Sequence, residues 1–145
     1  MKVVVQKVNE ASVKVDGNVV GEISRGLLVF VGFTEGDNLD KINFMVNKII
    51  NLRIFEDDND VMNLSVKDVD GGILSISQFT LYGDAIKGNR PSYIKALKSD
   101  EASILYEEFN KKLKENYEKV ETGIFQADMK ISLVNDGPTT IIIEK

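Results

Sequence analysis

The chain has 145 residues, of which 43% are hydrophobic and 28% charged, and its formal net charge is −5 at pH 7. These values are typical of one globular domain, and the acidic balance argues against a broad basic surface for gripping a long nucleic acid. Histidine and cysteine are both absent, which excludes Ser-His-Asp and Cys-His catalysis and zinc sites built on those ligands.

The N-terminal segment, Met1–Lys7, is too short and too quickly charged for a secretory signal, and no apolar run approaches the ~20 residues that span a bilayer. We therefore expect a cytoplasmic protein with no membrane partner, folded as a single domain over residues 1–145.

The first third of the chain predicts strands. A valine-rich segment over residues 2–8 and Ser12–Val15 lead through Asp16-Gly17, a tight-turn dipeptide, into Val19–Ile23, and this pattern predicts a hairpin. Leu27–Phe33 is a continuous apolar run bounded by glycines, as expected for a strand covered on both faces at the centre of a sheet.

Two helices are predicted from apolar side chains at the 3- and 4-residue spacing of one buried stripe. The first is expected to be capped by Asp37 and to end near Asn51, with the stripe Leu39, Ile42, Met45, Val46, Ile49 and Ile50. The second is expected to be capped by Ser99, with the stripe Ala102, Leu105, Tyr106, Phe109 and Leu113.

Short strands are predicted between the helices, at Leu52–Phe55 and Met62–Val66. The acidic run Glu56–Asp60 that joins them has neither the glycine nor the closing glutamate of a calcium-binding loop, which favours a solvated turn. Gly72–Leu81 is predicted as a further strand, and its second half carries hydroxyl and amide side chains in place of aliphatic ones.

The last third predicts three more strands, around Val120–Phe125, Met129–Val134 and Thr140–Ile143. The last two are separated by Asn135-Asp136-Gly137-Pro138, which is ordinary turn chemistry. Strands, helix, strands, helix and strands in this order predict a layered α/β domain with both helices on one side.

Two polar hexads stand out against this aliphatic background: Ser77–Tyr82 (SQFTLY) and Asn135–Thr140 (NDGPTT). Alone, the first fits the exposed end of an edge strand and the second fits a turn. Together they resemble the paired SQFTLY and NxGPxT signatures of D-aminoacyl-tRNA deacylases. The resemblance runs over the whole chain and includes Asn51–Phe55, Lys87-Gly88 and Val120–Gly123.

This resemblance implies a single-domain α/β fold with a layered, barrel-like sheet, in the order two strands, two strand–helix units and three strands. It also implies an enzyme that hydrolyses the ester bond of D-aminoacyl-tRNA, and of mischarged glycyl-tRNA, without a cofactor or metal. Its partners would be the acceptor end of the tRNA and a second copy of the chain.

The same resemblance implies that both active sites of the homodimer lie at the subunit interface. The Gly137-Pro138 peptide, in the cis form, would enter the partner's site beside Asn135. Two backbone carbonyls would then face the α-amino group of the substrate, and an L side chain would collide with the same rigid peptide. Such exclusion needs no reactive side chain.

The first hexad is implied to surround the scissile ester with Ser77, Gln78, Phe79 and Thr80. The backbone amides near Phe79 and Thr80 would stabilise an oxyanion. Phe125 and Met129 would border the pocket for the terminal adenosine, although simple core packing explains these two residues equally well.

The role of Thr80 follows from the absence of histidine. A threonine hydroxyl is a poor nucleophile without an activating base, and none is evident in the sequence. Our hypothesis is that the 2′-hydroxyl of the last ribose helps to activate water, while the protein supplies positioning and oxyanion hydrogen bonds.

Lys87, Arg90, Lys95 and Lys98 form a modest basic cluster. It is either a solvated loop or a site for phosphates of the tRNA acceptor end, with Lys87 and Arg90 as the binding residues. Two residues depart from the usual family pattern. Lys7 replaces an arginine that braces the Gly-Pro loop, and lysine lacks the bidentate guanidinium fork; Thr139 replaces a valine.

Two other functions remain open from the residues alone. One is an editing deacylase that removes an L-residue from tRNA, and the other is a binder of tRNA acceptor ends without catalysis. Comparing D-tyrosyl-tRNA with L-seryl-tRNA as substrates separates the first from chiral proofreading, and binding without release of amino acid identifies the second.

Overall fold

The computed structural model describes residues 1–145, and it begins with the predicted hairpin, formed by β1 (Lys2–Val15) and β2 (Asn18–Ile23). Asp16 and Gly17 occupy its turn with φ angles of 49° and 80°. This left-handed region is one that aspartate tolerates and glycine favours, so the local sequence is sufficient to place the turn.

The remaining elements follow in chain order. They are β3 (Gly26–Gly32), α1 (Leu39–Ile50), β4 (Phe55–Glu56), β5 (Met62–Leu64), β6 (Gly72–Ser77), a 3₁₀ turn (Phe79–Tyr82), α2 (Ser99–Asn116), β7 (Val120–Thr122) and β8 (Met129–Glu144). The α/β class with two helices is as predicted.

The main sheet has the strand order β2-β1-β3-β6-β7. The strand β1 pairs with β3 through its first half and with β2 through its second half, and β8 pairs with both halves of β1. The apolar strand β3 therefore lies at the centre, as predicted. It is antiparallel to β1 and parallel to β6, and β6 is parallel to β7. Gly26 faces Gly72, where a Cβ on Gly26 would come within 1.9 Å of the Gly72 carbonyl oxygen. Only glycine permits the two backbones to approach so closely.

The prediction of two separate strands at the C-terminus was wrong, because β8 is one strand that pairs with β1 on both sides of the Asn-Asp-Gly-Pro segment. Asn135 pairs with Val8 and Thr140 with Gln6, so the four residues 136–139 stand opposite the single residue Lys7. The Asn-Asp-Gly-Pro segment is therefore a bulge within a continuous strand, held on both sides by the same neighbour.

Both helices pack on one face of the sheet and bury the predicted stripes, with two exceptions. Leu39 is 46% exposed, and Leu105 is half-buried. Their caps also differ from the prediction. Asn38 caps α1 by accepting a hydrogen bond from the Lys41 amide, and Ser99 is the first residue of α2 rather than a side-chain cap.

Several strands are shorter than predicted, since their neighbours end. In β6 the ladder closes with a hydrogen bond of 2.7 Å from the Gln78 amide to the Val31 carbonyl, and the chain then turns into the 3₁₀ segment. The strand therefore stops at Ser77, and Leu81 lies outside it. Similarly, β7 stops at Thr122, and β4 and β5 pair only with each other. Glu56, predicted as part of the turn, belongs to β4, and residues 57–61 join the two strands.

The two faces of the sheet are covered to different extents. The helix side holds the larger core, which includes Phe55 and Phe109 and is closed from solvent. The opposite face holds a small cluster, against which Met129, Ile131 and Leu133 are only partly buried. No helix is both long and apolar enough to cross a bilayer.

Candidate active site

A cavity of about 560 Å³ opens where the parallel strands β3 and β6 end. The carboxyl ends of parallel strands are the usual place for ligands in α/β sheets, because loops replace the sheet there. Val31–Phe33 and Ile76–Phe79 continue these two strands into the cavity wall. The rest of the wall comes from Tyr93, Ala96, Leu97, Ser99, Ala102, Phe125, Gln126, Ala127, Met129 and Ile131.

The cavity brings together five of the residues singled out in the sequence. Ser77, Gln78, Phe79, Phe125 and Met129 all line it, although Phe125 and Met129 are 46 to 52 residues from Ser77 and Phe79 along the chain. Thr80 does not line the cavity. It is exposed in the 3₁₀ turn, and its hydroxyl accepts a hydrogen bond from the Gln78 side-chain amide.

The lining contains no carboxylate, ammonium or guanidinium group. Its polar atoms are hydroxyls, amides and backbone groups, so the cavity itself offers hydrogen bonds but no charged acid or base. The structure also holds no group of three or more acidic side chains that could bind a metal ion.

The turn after β6 presents free backbone donors. Its hydrogen bonds are donated by Leu81 to the Gln78 carbonyl, at 3.2 Å, and by Gly83 to the Thr80 carbonyl, at 2.9 Å. The amides of Phe79 and Thr80 come before Leu81 in the chain. The opening amides of a 3₁₀ turn have no carbonyl partner within the turn. Two neighbouring N–H groups are thus available beside the cavity.

Two tyrosines that were not predicted as site residues support the cavity. Tyr93 lines the rim and packs edge-to-face on Phe79, with ring centroids 5.1 Å apart. Tyr106 lies behind Phe125 at 5.9 Å, and its hydroxyl donates to the Ser75 carbonyl at 2.8 Å. Burial raises the pKa of the Tyr106 hydroxyl, so it remains a neutral donor. The sequence signal for Tyr106 was its polar hydroxyl in the otherwise apolar stripe of α2.

Met129 reaches the cavity because Gly123 lacks a side chain. A Cβ at Gly123 would lie 2.6 Å from the Met129 sulfur and 3.0 Å from Ile76. The thioether therefore packs against the backbone after β7 and continues the wall formed by Ile76.

The second hexad lies elsewhere in the chain. Gly137 and Pro138 are exposed, are joined by a cis peptide bond and do not line the cavity. Asn135 is also outside it, because its side chain is used within the bulge. Its oxygen accepts from the Thr139 amide at 3.0 Å, and its nitrogen donates to the Thr140 hydroxyl at 3.0 Å.

The strand register separates the bulge from the cavity. Asn135 pairs with Val8, which also pairs with Gly26 at the start of β3. The cavity lies at the other end of β3, at Val31–Phe33, about 16 Å further along the strand. Within one chain, the two hexads therefore do not form one site.

Lys87 and Arg90 lie in an exposed loop beside the cavity. The loop is closed at its base by a pair of 2.8 Å hydrogen bonds between the backbones of Asp84 and Ser92, and the next residue, Tyr93, lines the cavity rim. Lys95 pairs loosely with Asp84 at 3.7 Å, whereas neither Lys87 nor Arg90 forms an ion pair. The loop that leads into the cavity rim at Tyr93 thus carries two exposed cations without ion-pair partners.

Comparison with known proteins gives concordant matches. The family model described as D-Tyr-tRNA(Tyr) deacylase matches residues 4–144. Proteins named D-aminoacyl-tRNA deacylase are similar to this chain: that of Flavobacterium psychrophilum is 58% identical over 145 residues, covering 99% of this chain and 97% of its own. That of Clostridium botulinum is 54% identical over 144 residues, with the same coverage.

Two solved structures are similar to the whole chain. One is titled c-Myc DNA Unwinding Element Binding Protein; its TM-score is 0.95 at 39% identity, covering 100% of this chain and 99% of that one. The other is titled a probable eukaryotic D-amino acid tRNA deacylase, with a TM-score of 0.83 at 17% identity, covering 98% and 97%. The second likeness concerns the fold alone.

Proposed function

The chain belongs to the D-Tyr-tRNA(Tyr) deacylase family, and on that premise we propose that it hydrolyses the ester bond of D-aminoacyl-tRNA in the cytoplasm. The products are free D-amino acid and intact tRNA. The observation that carries the proposal is the match to the family over residues 4–144, together with relatives of that name at more than half identity.

A direct assay tests this function. D-tyrosyl-tRNA is expected to lose its amino acid, and L-tyrosyl-tRNA is expected to react at least about tenfold more slowly, because a difference of ~1.4 kcal/mol in transition-state binding already gives that ratio. Release of labelled tyrosine measures both rates, and L-seryl-tRNA serves as the third substrate. Preference for the L-seryl substrate would identify an L-editing enzyme, and binding without release would identify a non-catalytic binder.

Ester hydrolysis places a negative charge on the carbonyl oxygen in the transition state. In our proposal the free amides of Phe79 and Thr80 donate to that oxygen, and Ser77 and Gln78 orient the ester. Backbone donors fixed in a turn suit this role because they need no reorganisation as the charge develops. The uncharged lining supports it, since hydrogen bonds are stronger where water is excluded.

The terminal adenosine is proposed to occupy the part of the cavity walled by Phe125 and Met129. An aromatic ring and a thioether provide an apolar surface on which a flat base packs. Phe125 is supported from behind by Tyr106, and the side chains of Phe125 and Met129 are partly rather than fully buried. This partial exposure favours ligand contact over simple core packing.

Selection of the D-enantiomer is proposed to depend on the main chain of the Gly137-Pro138 bulge. The carbonyls of the bulge would bind the α-amino group, and an L side chain would meet the backbone. A site that selects in this way accepts many D-residues, and glycine as well, because glycine has no side chain to exclude. We therefore propose glycyl-tRNA as a second substrate.

The bulge would have to come from a second chain. It is exposed and lies about 16 Å along the strand from the cavity of its own chain, so a homodimer is part of the proposal. The thinly covered face of the sheet supports this, because Met129, Ile131 and Leu133 remain partly exposed there. Burying such a face against its symmetry mate is a common basis for dimers.

The loop with Lys87 and Arg90 is proposed to bind phosphates at the acceptor end of the tRNA. Two phosphate contacts suffice for an enzyme that touches only the tip of its RNA. Phosphate contacts do not distinguish one base sequence from another. The acidic net charge is compatible with such local binding.

Reversing both charges tests the loop. The variant Lys87→Glu/Arg90→Glu is expected to raise KM at low salt and to flatten the dependence of KM on salt, because about two fewer counterions are released on binding, while kcat stays close to that of the wild type. Steady-state kinetics at several salt concentrations measure this. Lys48→Glu/Lys67→Glu is a control of equal charge, and unchanged kinetics in the loop variant would remove Lys87 and Arg90 from the site.

A further inference from the structure

Lys7 is a buried cation. Its side chain is 1% exposed, and it follows Val3 and Val5 on the face of β1 that packs under the helices. An ammonium group removed from water is strongly unfavourable unless carboxylates and hydrogen bonds compensate it. The neighbours of Lys7 therefore determine whether this arrangement is stable.

Two carboxylates compensate Lys7, and they come from distant parts of the chain. Its Nζ donates to Oε1 of Glu56, in β4, at 2.6 Å, and lies 3.4 Å from Oδ2 of Asp136 in the β8 bulge. The contact to Glu56 is the shorter one, and the hydrogen bond from Lys7 lowers the pKa of Glu56 below its ordinary value. Of the two carboxylates, Glu56 thus lies closer to the Lys7 ammonium than Asp136 does.

Asp136 immediately precedes Gly137 and Pro138, and the bulge that contains them stands opposite Lys7 in the register. The contact between Asp136 and Lys7 therefore ties one end of the bulge to the buried ammonium. Glu56 approaches that ammonium from the β4–β5 hairpin, outside the main sheet. If Glu56 no longer holds it, a flexible lysine side chain is free to move between positions, since lysine binds as a point charge without a fixed fork.

We propose that Glu56 is a positioning residue for substrate selection, which fixes Lys7 and, through Lys7 and Asp136, the Gly137-Pro138 bulge. The proposal rests on the proposed function of that bulge in rejecting L-substrates. Glu56 itself touches no substrate: its action is transmitted through one buried cation. Displacing a selecting group by as little as 1 Å changes rates by up to about 100-fold. A small shift of the bulge caused by a change at Glu56 is therefore expected to alter the preference for D- over L-substrates.

Glu56→Gln tests the proposal, because glutamine keeps the size of the side chain and removes its charge. The ratio of kcat/KM for D-tyrosyl-tRNA to that for L-tyrosyl-tRNA is expected to fall about tenfold. Glu56→Asp keeps the charge and is expected to retain most of the selectivity. The control is Glu115→Gln, in which the altered glutamate is about as exposed as Glu56 and pairs with a lysine, Lys112, at 2.8 Å; it is expected to leave the ratio unchanged.

Hydrogen exchange of the Thr139 amide gives a second readout that does not depend on activity. This amide donates to Asn135 within the bulge, and its exchange is expected to become several-fold faster in Glu56→Gln than in Glu115→Gln. Because the exchange measurement needs no substrate, it also tests the role of Glu56 in a protein sample with little deacylase activity.

The outcomes are distinguishable. Unchanged selectivity and unchanged exchange in Glu56→Gln would overturn the proposal, as would a Glu56→Asp variant as unselective as Glu56→Gln. A wild-type protein that hydrolyses neither substrate would refute the proposed function instead. In that case faster exchange of Thr139 in Glu56→Gln would still show that Glu56 fixes the bulge, and unchanged exchange would reject that link as well.

Discussion

A D-aminoacyl-tRNA whose terminal adenosine lacks the 2′-hydroxyl is expected to be hydrolysed at least about 100-fold more slowly than the natural substrate, which is the usual contribution of one general acid–base group. The cavity lining has no charged side chain, and the chain contains no histidine. We therefore expect the group that activates water to come from the substrate, where the ribose hydroxyl adjoins the ester.

Single-turnover kinetics with amino acid attached to the 3′-oxygen of natural and 2′-deoxy acceptor ends measure this effect. The loss is expected in the chemical step, with binding of the deoxy substrate nearly unchanged. Thr80→Ala is the matching protein variant, and it is expected to retain activity within about tenfold, because the Thr80 hydroxyl is exposed outside the cavity and has no base to make it a nucleophile.

The opposite pair of results would reject assistance by the RNA. If the deoxy substrate reacts at the natural rate, and if Thr80→Ala binds substrate but no longer turns it over, Thr80 is the reacting group. Gln78 would then be a positioning residue for Thr80, since its side-chain amide donates to the Thr80 hydroxyl.

Two inactive variants are expected to restore activity when they are combined in one heterodimer. Ser77→Trp fills the cavity, and Gly137→Asp disrupts the bulge, because Gly137 has a φ of +114° and a Cβ there would lie 2.6 Å from the Thr139 hydroxyl. If the bulge acts on the partner's cavity, the heterodimer contains one intact site of two, and its rate is about half that of the wild type.

Co-expression with two different affinity tags, followed by tandem purification, isolates the heterodimer for the deacylation assay. Each homodimer is expected to be inactive, and sedimentation confirms that every sample is dimeric. A heterodimer as inactive as the two homodimers would show that the bulge serves its own chain, and an active Gly137→Asp homodimer would show that the bulge takes no part in the site. A wild-type chain that sediments as a monomer would also contradict the dimer.

The sequence by itself determined the local elements of this protein. The hairpin turn at Asp16-Gly17 requires only two residues with special backbone preferences, and the helix stripes, such as that from Ile42 to Ile50, require only apolar residues at a fixed spacing. The apolar run of β3 likewise placed that strand at the sheet centre. These signals operate within a few residues, so no tertiary contact is needed to recognise them. The paired hexads indicated the family, because family signatures are also local.

The tertiary structure decided where elements end and which residues meet. The strand β6 stops at Ser77 because its neighbours stop, and β8 continues through Asn135–Thr139 because β1 pairs with both of its halves. Only packing brings Tyr93 to the cavity rim and Tyr106 behind Phe125. Glu56 meets Lys7 from 49 residues away. Such contacts depend on the relative placement of distant segments, which no local spacing encodes, and the separation of the two hexads is visible only in the strand register.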